Sequence, residues 1–315
     1  MIAAAIAVIG GLLLLIFASD RLVVAAVRLS EALGISAVLI GALVVGLGTS
    51  MPEMLVSALA SADSEVEVAM ANVVDSNISN VTLVLGVAAI ISAIVAEMRI
   101  LRREGVLMLA SLLALTAVLY DKEVERWEGG ALLFGFVVAV YLLIRWSMND
   151  AETVSLAEAE VREMVGGEHN VAWEALIGTV TLVLTVLGAR LLLGGALDIG
   201  EEIGLSDTFL GVMLGVGTSL PELATATAAI RRRESDLVVG NVLGSNLFNS
   251  LAVAGLAGVV GPGLLPGLPI TALWVMVGVS LLAGIFARTG TRGRIVRFEG
   301  VVLVLVFLGF TILAF

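Results

Sequence analysis

The sequence contains no cysteine, a single histidine (His169) and a single lysine (Lys122) among its 315 residues. The lack of cysteine excludes disulfides, thiolate metal sites and cysteine nucleophiles. One histidine excludes a metal site built from several histidines of the same chain. The net charge of −11 does not suggest nucleic-acid binding. Scarce lysine combined with excess acid is typical of proteins from salt-loving organisms, and we expect such a source.

Charged residues are also scarce, and this determines the class of protein. Only 14% of the residues are charged and 59% are hydrophobic, with a mean hydropathy of +1.10, whereas soluble domains have about 25% charged residues. Residues 1–19, 32–52, 76–96 and 237–287 carry no charge at all. Because about 20 apolar residues cross a bilayer as a helix, the sequence predicts an all-α polytopic membrane protein.

The apolar runs divide into ten predicted transmembrane helices, separated by clusters of charge, glycine and proline. They cover approximately residues 2–29, 35–60, 66–94, 101–120, 129–146, 172–198, 204–230, 237–260, 268–287 and 298–315. The first segment lacks the basic start of a signal peptide, and a matching segment recurs in mid-chain. We therefore expect it to be a retained helix.

The two halves of the chain repeat one another with an offset of 169 residues. The segment Gly48–Glu53, of sequence GTSMPE, recurs as Gly217–Glu222, of sequence GTSLPE. The same offset relates two groups of polar residues: Asn72, Ser76, Asn77 and Asn80 correspond to Asn241, Ser245, Asn246 and Asn249. Two motifs that keep one register indicate an internal duplication.

Each predicted half has five helices, so the halves must enter the membrane from opposite sides. The distribution of basic residues supports this, because the even-numbered connections contain only Lys122 and Arg126. By the positive-inside rule the arginine-rich odd connections are cytoplasmic and both termini are outside. We therefore predict two inverted five-helix repeats: residues 1–146 with the first motif, an acidic cytoplasmic linker at 147–171, and residues 172–315 with the second motif. His169 falls in the linker and is expected to be a surface residue.

Glu53 and Glu222 are predicted to lie in the middle of membrane spans. An intramembrane carboxylate costs about 2.5 kcal/mol or more to insert, so its default interpretation is functional. Each follows a proline that has no N–H for the carbonyl four residues earlier, and we expect both helices to kink there. A structural glutamate bonded between helices is the alternative, which the duplication makes less attractive.

Polar residues of the third and eighth spans are expected to converge on these glutamates. Asn72, Ser76 and Asn80 are spaced i, i+4, i+8 and share one helical face. Carboxylates, carbonyls and hydroxyls are the hard oxygen ligands that calcium and sodium prefer. Such a stripe also serves as polar contact between helices, but its pairing with the proline–glutamate motifs favours ion coordination.

These motifs resemble the calcium/cation antiporter superfamily and, within it, the prokaryotic sodium/calcium exchangers. The pattern GTSxPE followed by GNxxGSNxxN/D matches Gly217–Glu222 and Gly240–Asn249. The resemblance covers both repeats. It implies a plasma-membrane antiporter, not an enzyme, that exports calcium against entering sodium. It implies no catalytic residue, no cofactor and no obligatory protein partner, and the first and sixth helices slide to give alternating access.

The resemblance also implies a role for each motif residue. Glu53 and Glu222 are the shared calcium and sodium carboxylates. The carbonyls of Thr49 and Thr218 complete the calcium site, and those of Gly46 and Gly215 flank it. Sodium is served by the hydroxyls of Ser50, Ser219, Ser76 and Ser245, and Asn80 and Asn249 line the central position.

Two residues depart from the family pattern. Asp75 stands where the pattern has glycine, as at Gly244, and Asn249 stands where microbial relatives often have aspartate. We consider two roles for Asp75: a third carboxylate of the site that offsets the lost acid, or a residue of a helix interface or entrance. Asparagine at position 249 favours potassium independence.

Three alternatives remain open from the sequence. The same fold serves proton-coupled antiporters or antiporters of other divalent cations, because carboxylates also bind protons. A cation channel is compatible with duplicated, broken helices, although an inverted repeat in one chain fits alternating access better. An intramembrane hydrolase using Ser50 or Ser219 lacks any activating base within its span.

Overall fold

The computed structural model describes residues 2–95, 97–165, 170–204, 217–289 and 294–314, without the side chains of 148–165, Glu201, Thr289, Leu313 and Ala314. The described part of the chain is helical apart from turns and four two-residue strands. Its α-helices are α1 Ile2–Leu33, α2 Ala37–Ile40, α3 Leu47–Thr49, α4 Met51–Ala62, α5 Val66–Ser79, α6 Leu85–Ile91, α7 Met98–Ile100, α8 Val106–Leu119, α9 Arg126–Val165, α10 Val171–Glu202, α11 Leu220–Arg231, α12 Ser235–Phe248, α13 Ala254–Val260, α14 Ile270–Thr289 and α15 Arg297–Ala314.

Short π-helical turns join several of these helices into longer spans. They cover Gly41–Gly46, Asn80–Val84, Leu101–Gly105 and Asn249–Val253. Two of them begin at Asn80 and Asn249, which are predicted site residues. The backbone is therefore irregular where the sequence analysis predicts the site. Such π-turns often mark functional positions in helices.

Among the described residues, six helices are long and apolar enough to cross a membrane, and a bent pair makes a seventh candidate. The six are Ile2–Leu33, Val66–Ile91, Arg126–Ser147, Val171–Gly200, Ser235–Val260 and Ile270–Arg288. The predicted spans 101–120 and 298–315 coincide with shorter helical segments, α7–α8 and α15. The predicted span 204–230 lies partly outside the described residues, and only its end, α11, can be compared.

The bent pair contains the first proline–glutamate motif. Helices Ala37–Thr49 and Met51–Ala62 meet at an angle of 44°, and Ser50 between them has φ −86° and ψ 5°. Pro52 occupies the first turn of α4, a position where its missing N–H costs nothing. The kink expected from the sequence is therefore present. At the second motif Ser219 has nearly the same backbone conformation, φ −88° and ψ 7°.

Other backbone features recur with the sequence offset of 169. Ser64 and Arg233 both have φ 67°, and the π-turn Asn80–Val84 matches Asn249–Val253. Strand β1 (Ile94–Val95) pairs with β4 (Arg294–Ile295), while β2 (Glu123–Val124) pairs with β3 (Gly263–Leu264). Strands β1 and β3 occupy equivalent positions, 169 residues apart. Both pairs consist of one strand from each half of the chain, so each pair joins the two halves.

The centre of the molecule is formed by the two spans that carry the polar stripes. In Val66–Ile91 and Ser235–Val260, 72% and 83% of the most apolar window is buried, against 22–44% in the other four spans. Helices α1 and α10 lie outside and contact each other closely, because Gly11 and Gly188 let the two backbones approach. The polar stripes therefore face protein and not lipid.

The predicted linker begins inside a helix. Helix α9 runs from Arg126 to Val165 and passes the expected boundary at residue 146 without a break. The boundaries of the predicted domains stay predictions, and His169 lies outside the described residues.

Candidate ion site

Glu53 and Glu222 occupy equivalent positions in the two halves, and both are buried, with 2% and 1% of their surfaces exposed. Each lies in the first turn of the helix that follows the break, α4 or α11. Each carboxylate accepts a hydrogen bond from its own backbone N–H. A helix N-terminus carries a partial positive charge that favours a carboxylate, so the broken helices hold both glutamates at their positive ends.

The two motifs are joined by a direct hydrogen bond. The hydroxyl of Ser50 donates to Oε1 of Glu222 over 3.1 Å, and the Thr49 hydroxyl also interacts with this carboxylate. The charges of Glu53 and Glu222 repel each other. Two negative groups thus share one buried region, and the attraction of Arg190 for Glu53 offsets this repulsion only in part.

The carbonyl oxygen of Gly46 forms a second meeting point. It accepts hydrogen bonds from Thr49 Oγ1 at 3.3 Å and from Ser245 Oγ at 3.2 Å, and it also accepts the backbone N–H of Ser50 at 3.1 Å. Three of the predicted site residues in the first half therefore lie together with one from the second. All four are among the residues that the sequence analysis proposes for the ion site.

Amide side chains connect the two central spans. Asn77 Nδ2 donates to Ser250 Oγ at 3.0 Å, and Asn246 Nδ2 donates to the Asn77 carbonyl at 3.4 Å. All three residues are fully buried. Ser250 was not singled out from the sequence, although it directly follows Asn249 on the same π-turn.

Thr225 and Ser57 are two further polar residues that sequence reasoning missed. Asn241 Nδ2 contacts Thr225 Oγ1 at 3.4 Å, and Asn72 Nδ2 donates to Ser57 Oγ at 3.1 Å. Each hydroxyl lies one helical turn after a motif glutamate. This spacing in the sequence could have identified Ser57 and Thr225 as neighbours of the site. The two equivalent asparagines thus position the helices that carry the glutamates.

Several buried oxygens of the predicted site residues have no hydrogen-bond partner in the described part of the chain. They are Oε2 of Glu53, Oε2 of Glu222, Oγ of Ser76, Oγ of Ser219, Oδ1 of Asn80 and Oδ1 of Asn249. A buried polar atom without a partner costs about 1–3 kcal/mol. Cations that accept hard oxygen ligands relieve this cost, so the arrangement is suited to binding calcium or sodium.

Thr218, Gly215 and Asp75 are the three remaining residues of the predicted site. Thr218 is half-buried beside Ser219, and Gly215 lies outside the described residues. Asp75 is half-buried on α5 next to Ser76. Among the described residues no three histidine, aspartate or glutamate side chains come close enough to hold a metal together. The candidate site therefore has two carboxylates, Glu53 and Glu222, together with neutral oxygens.

Comparison with known families gives a consistent result over the whole chain. A family model described as sodium/calcium exchanger protein matches the chain twice, over residues 3–145 and 173–315. The chain is 36% identical over 323 residues to the putative antiporter CaxA of Alkalimonas amylolytica, covering 100% of this chain and 99% of that protein.

An archaeal relative and a solved structure extend the comparison. The sodium/calcium exchanger MaX1 of Methanosarcina acetivorans is 30% identical, with 97% of this chain and 96% of that protein covered. The structure of the sodium-calcium exchanger NCX_Mj is similar with a TM-score of 0.82 and 27% sequence identity, covering 98% of this chain and 97% of that chain. Both the sequence and the fold therefore match the same group of proteins.

Proposed function

The chain belongs to the sodium/calcium exchanger family, and on this basis we propose that it is a secondary antiporter that exchanges sodium for calcium by alternating access. One observation carries the proposal. Glu53 and Glu222, both buried, lie at helix breaks in the two halves and each has a carboxylate oxygen without a partner. Such a pair requires cations for neutralisation, because the charge of Arg190 alone does not balance two carboxylates.

The architecture that we propose for transport is ten transmembrane helices in two inverted five-helix repeats. It is supported by the two matches of one family model, by the repeated conformations of Ser50 and Ser219, and by strand pairs that join the halves. An inverted repeat places the ion site at the interface of the repeats near the bilayer midplane. The odd connections are then cytoplasmic and both termini lie outside, with residues 147–171 linking the repeats.

Within this site we propose calcium ligands from the two glutamates and the carbonyls of Thr49 and Thr218, flanked by those of Gly46 and Gly215. The hydroxyls of Ser50, Ser219, Ser76 and Ser245 serve sodium, and Asn80 and Asn249 line the central position. Two observations support these assignments. Several of these buried oxygens have no hydrogen-bond partner in the described part of the chain. Ser50 bonds to Glu222, and Thr49 and Ser245 bond to the Gly46 carbonyl. With asparagine at 249, we propose that potassium is not required.

Asp75 has a different role in this proposal. It lies on the site helix but not in a three-carboxylate group with Glu53 and Glu222. We propose that its negative charge attracts cations towards the site from beside Ser76.

Obligatory exchange follows from the charge of the site. One calcium ion or a set of sodium ions neutralises the two glutamates, whereas an empty site retains buried charge that is costly in the membrane. The conformational change between inward- and outward-open states is therefore favoured only when cations are bound. The protein performs transport, and no chemical reaction is assigned to it.

Calcium flux in proteoliposomes tests the proposed function. Vesicles loaded with sodium should take up calcium when diluted into sodium-free buffer, whereas vesicles with only a potassium or proton gradient should not. Uptake driven by the pH gradient alone would establish proton coupling instead. Calcium flux that persists with no counter-ion on either side, or single-channel currents in planar bilayers, would contradict antiport.

A further inference from the structure

A groove with two arginines is lined by none of the residues assigned to the ion site. It is a cavity of about 370 Å³ between α8, α12 and α14, and it opens beside Leu281 and Ile285, which are 46% and 54% exposed. Arg102 and Arg288 line the groove and are exposed. Within the described residues they are its only charged lining side chains, and the rest of its lining is apolar or glycine except for Ser280.

The two guanidinium groups have no carboxylate partner in the part of the chain that the structure describes. Glu97, the acidic residue on the approach to α7, pairs instead with Arg99 at 3.4 Å. The only polar lining side chain other than the arginines, Ser280, donates to the Met276 carbonyl of its own helix at 2.9 Å. The groove thus combines an apolar floor with two unneutralised positive charges.

Neither arginine is repeated at the equivalent position of the other half. With the offset of 169, Val242 corresponds to Val73, and Arg288 corresponds to Leu119; both Val73 and Leu119 are fully buried. Arg102 corresponds to Thr271. The internal duplication therefore does not account for these two arginines, which are found in the groove but not at its repeat-equivalent positions.

We propose that this groove binds one anionic phospholipid, with an acyl chain along the apolar floor and the phosphate at Arg102 and Arg288. Charge complementarity determines this occupant, because a neutral lipid leaves both arginines without a partner. The arginines stand in connections that the positive-inside rule assigns to the cytoplasm, where anionic lipids are found. Basic pockets between transmembrane helices on this side are suited to anionic headgroups.

Four variants and two controls test the charge and the groove separately. Arg102→Gln and Arg288→Gln, alone and together, remove the positive charges. Gly284→Leu fills the groove, because a side chain at Gly284 meets no atom within 4 Å. Arg145→Gln is the matched charge control, since Arg145 is exposed at the end of the fifth predicted span on the same side. Gly278→Leu is the matched steric control, since Gly278 is an exposed glycine of α14 with equally open surroundings and does not line the groove.

The full-length protein is purified in mild detergent and titrated with dioleoyl phosphatidylglycerol or dioleoyl phosphatidylcholine. Bound lipid is counted by native mass spectrometry, and thermal unfolding confirms that each variant is folded. We expect the wild-type protein to retain one phosphatidylglycerol in preference to phosphatidylcholine. Each arginine substitution should lower this affinity about fivefold, Gly284→Leu should abolish retention, and both controls should behave like the wild type.

Three results would overturn the proposal. Equal retention of the two lipids would show that charge does not select the occupant. Arginine variants that bind phosphatidylglycerol as well as Arg145→Gln does would remove these arginines from the site. Displacement of the lipid by millimolar inorganic phosphate, with no effect of Gly284→Leu, would indicate a simple anion site. None of these readouts depends on ion transport, so the outcome is independent of the proposed exchange.

Discussion

The hydroxyl of Ser50 donates a 3.1 Å hydrogen bond to Oε1 of Glu222, which lies 172 residues away in the chain. The equivalent hydroxyl, that of Ser219, is buried and has no hydrogen-bond partner in the described part of the chain. The two serines have matching backbone conformations. The repeated motifs are therefore alike in backbone conformation but differ in their hydrogen bonds.

This difference predicts unequal effects of two identical substitutions. Ser50→Ala removes a hydrogen bond to a charged group, worth about 1.5–3 kcal/mol, whereas Ser219→Ala removes none. We expect Ser50→Ala to lower the unfolding temperature in ion-free detergent solution clearly more than Ser219→Ala does. An equal loss in both variants would contradict the observed asymmetry.

The carboxylates themselves are predicted to be indispensable for transport. Glu53→Gln and Glu222→Gln keep the side-chain size but remove the charge that neutralises a divalent cation, so calcium exchange should fall to background. Both variants should still be folded, and calcium should no longer raise their unfolding temperature as ligand binding does in the wild type. Glu123→Gln, at an exposed glutamate of β2, is the control. Near-normal exchange in both variants would remove these residues from the site.

Asp75 should influence transport in a graded manner. Asp75→Asn and Asp75→Gly remove a negative charge close to Ser76 but leave the two-glutamate site complete. We expect the apparent calcium affinity to weaken several-fold with the maximal rate retained, measured as calcium uptake over a range of concentrations. Abolished exchange would make Asp75 a direct ligand, and unchanged affinity would assign it to a helix interface.

Glycines at the contact between α12 and the segment 37–46 are predicted to be essential for stability. A Cβ atom on Gly244 would overlap the backbone of Ala42. Overpacking of this kind costs about 1–3 kcal/mol, so Gly244→Ala should lower the unfolding temperature and the yield of folded protein. Gly278→Ala, in open surroundings, should do neither; similar losses in both variants would refute the packing argument.

The ion pair between Asp20 and Arg232 should contribute little to stability. Arg232 donates two hydrogen bonds to the Asp20 carboxylate, at 2.8 and 2.6 Å, but the two side chains are 45% and 41% exposed. Pairs so open to solvent are worth about 0.2–1 kcal/mol. A double-mutant cycle with Asp20→Asn and Arg232→Gln, followed by thermal unfolding, should give a coupling energy within this range. A larger value would show that the pair is effectively buried.

Much of the fold and part of the site follow from local features of the sequence. Long apolar runs require helices in a bilayer, and a proline without an N–H requires a break in its helix, which the 44° bend at Ser50 bears out. The spacing of Asn72, Ser76 and Asn80 predicts that they share one helical face, along α5 and the start of the π-turn that follows it. The sequence also predicts helices at 101–120 and 298–315, and the structure has helices in both segments. Neither is among the six helices that are long and apolar enough to be candidate membrane spans.

The sequence by itself determined the class of protein, the repeated motifs and the buried glutamates, because apolar periodicity, duplication and proline act within one segment of the chain. Only the tertiary structure decided which oxygens have partners. Ser50 donates to Glu222, whereas the Ser219 hydroxyl has no hydrogen-bond partner in the described part of the chain. Ser57, Thr225 and Ser250 bond to the asparagines, and Arg102 and Arg288 line one groove. These contacts depend on how helices distant in sequence pack together. The two motifs are nearly identical in sequence, so their sequences alone do not predict that their hydrogen bonds differ.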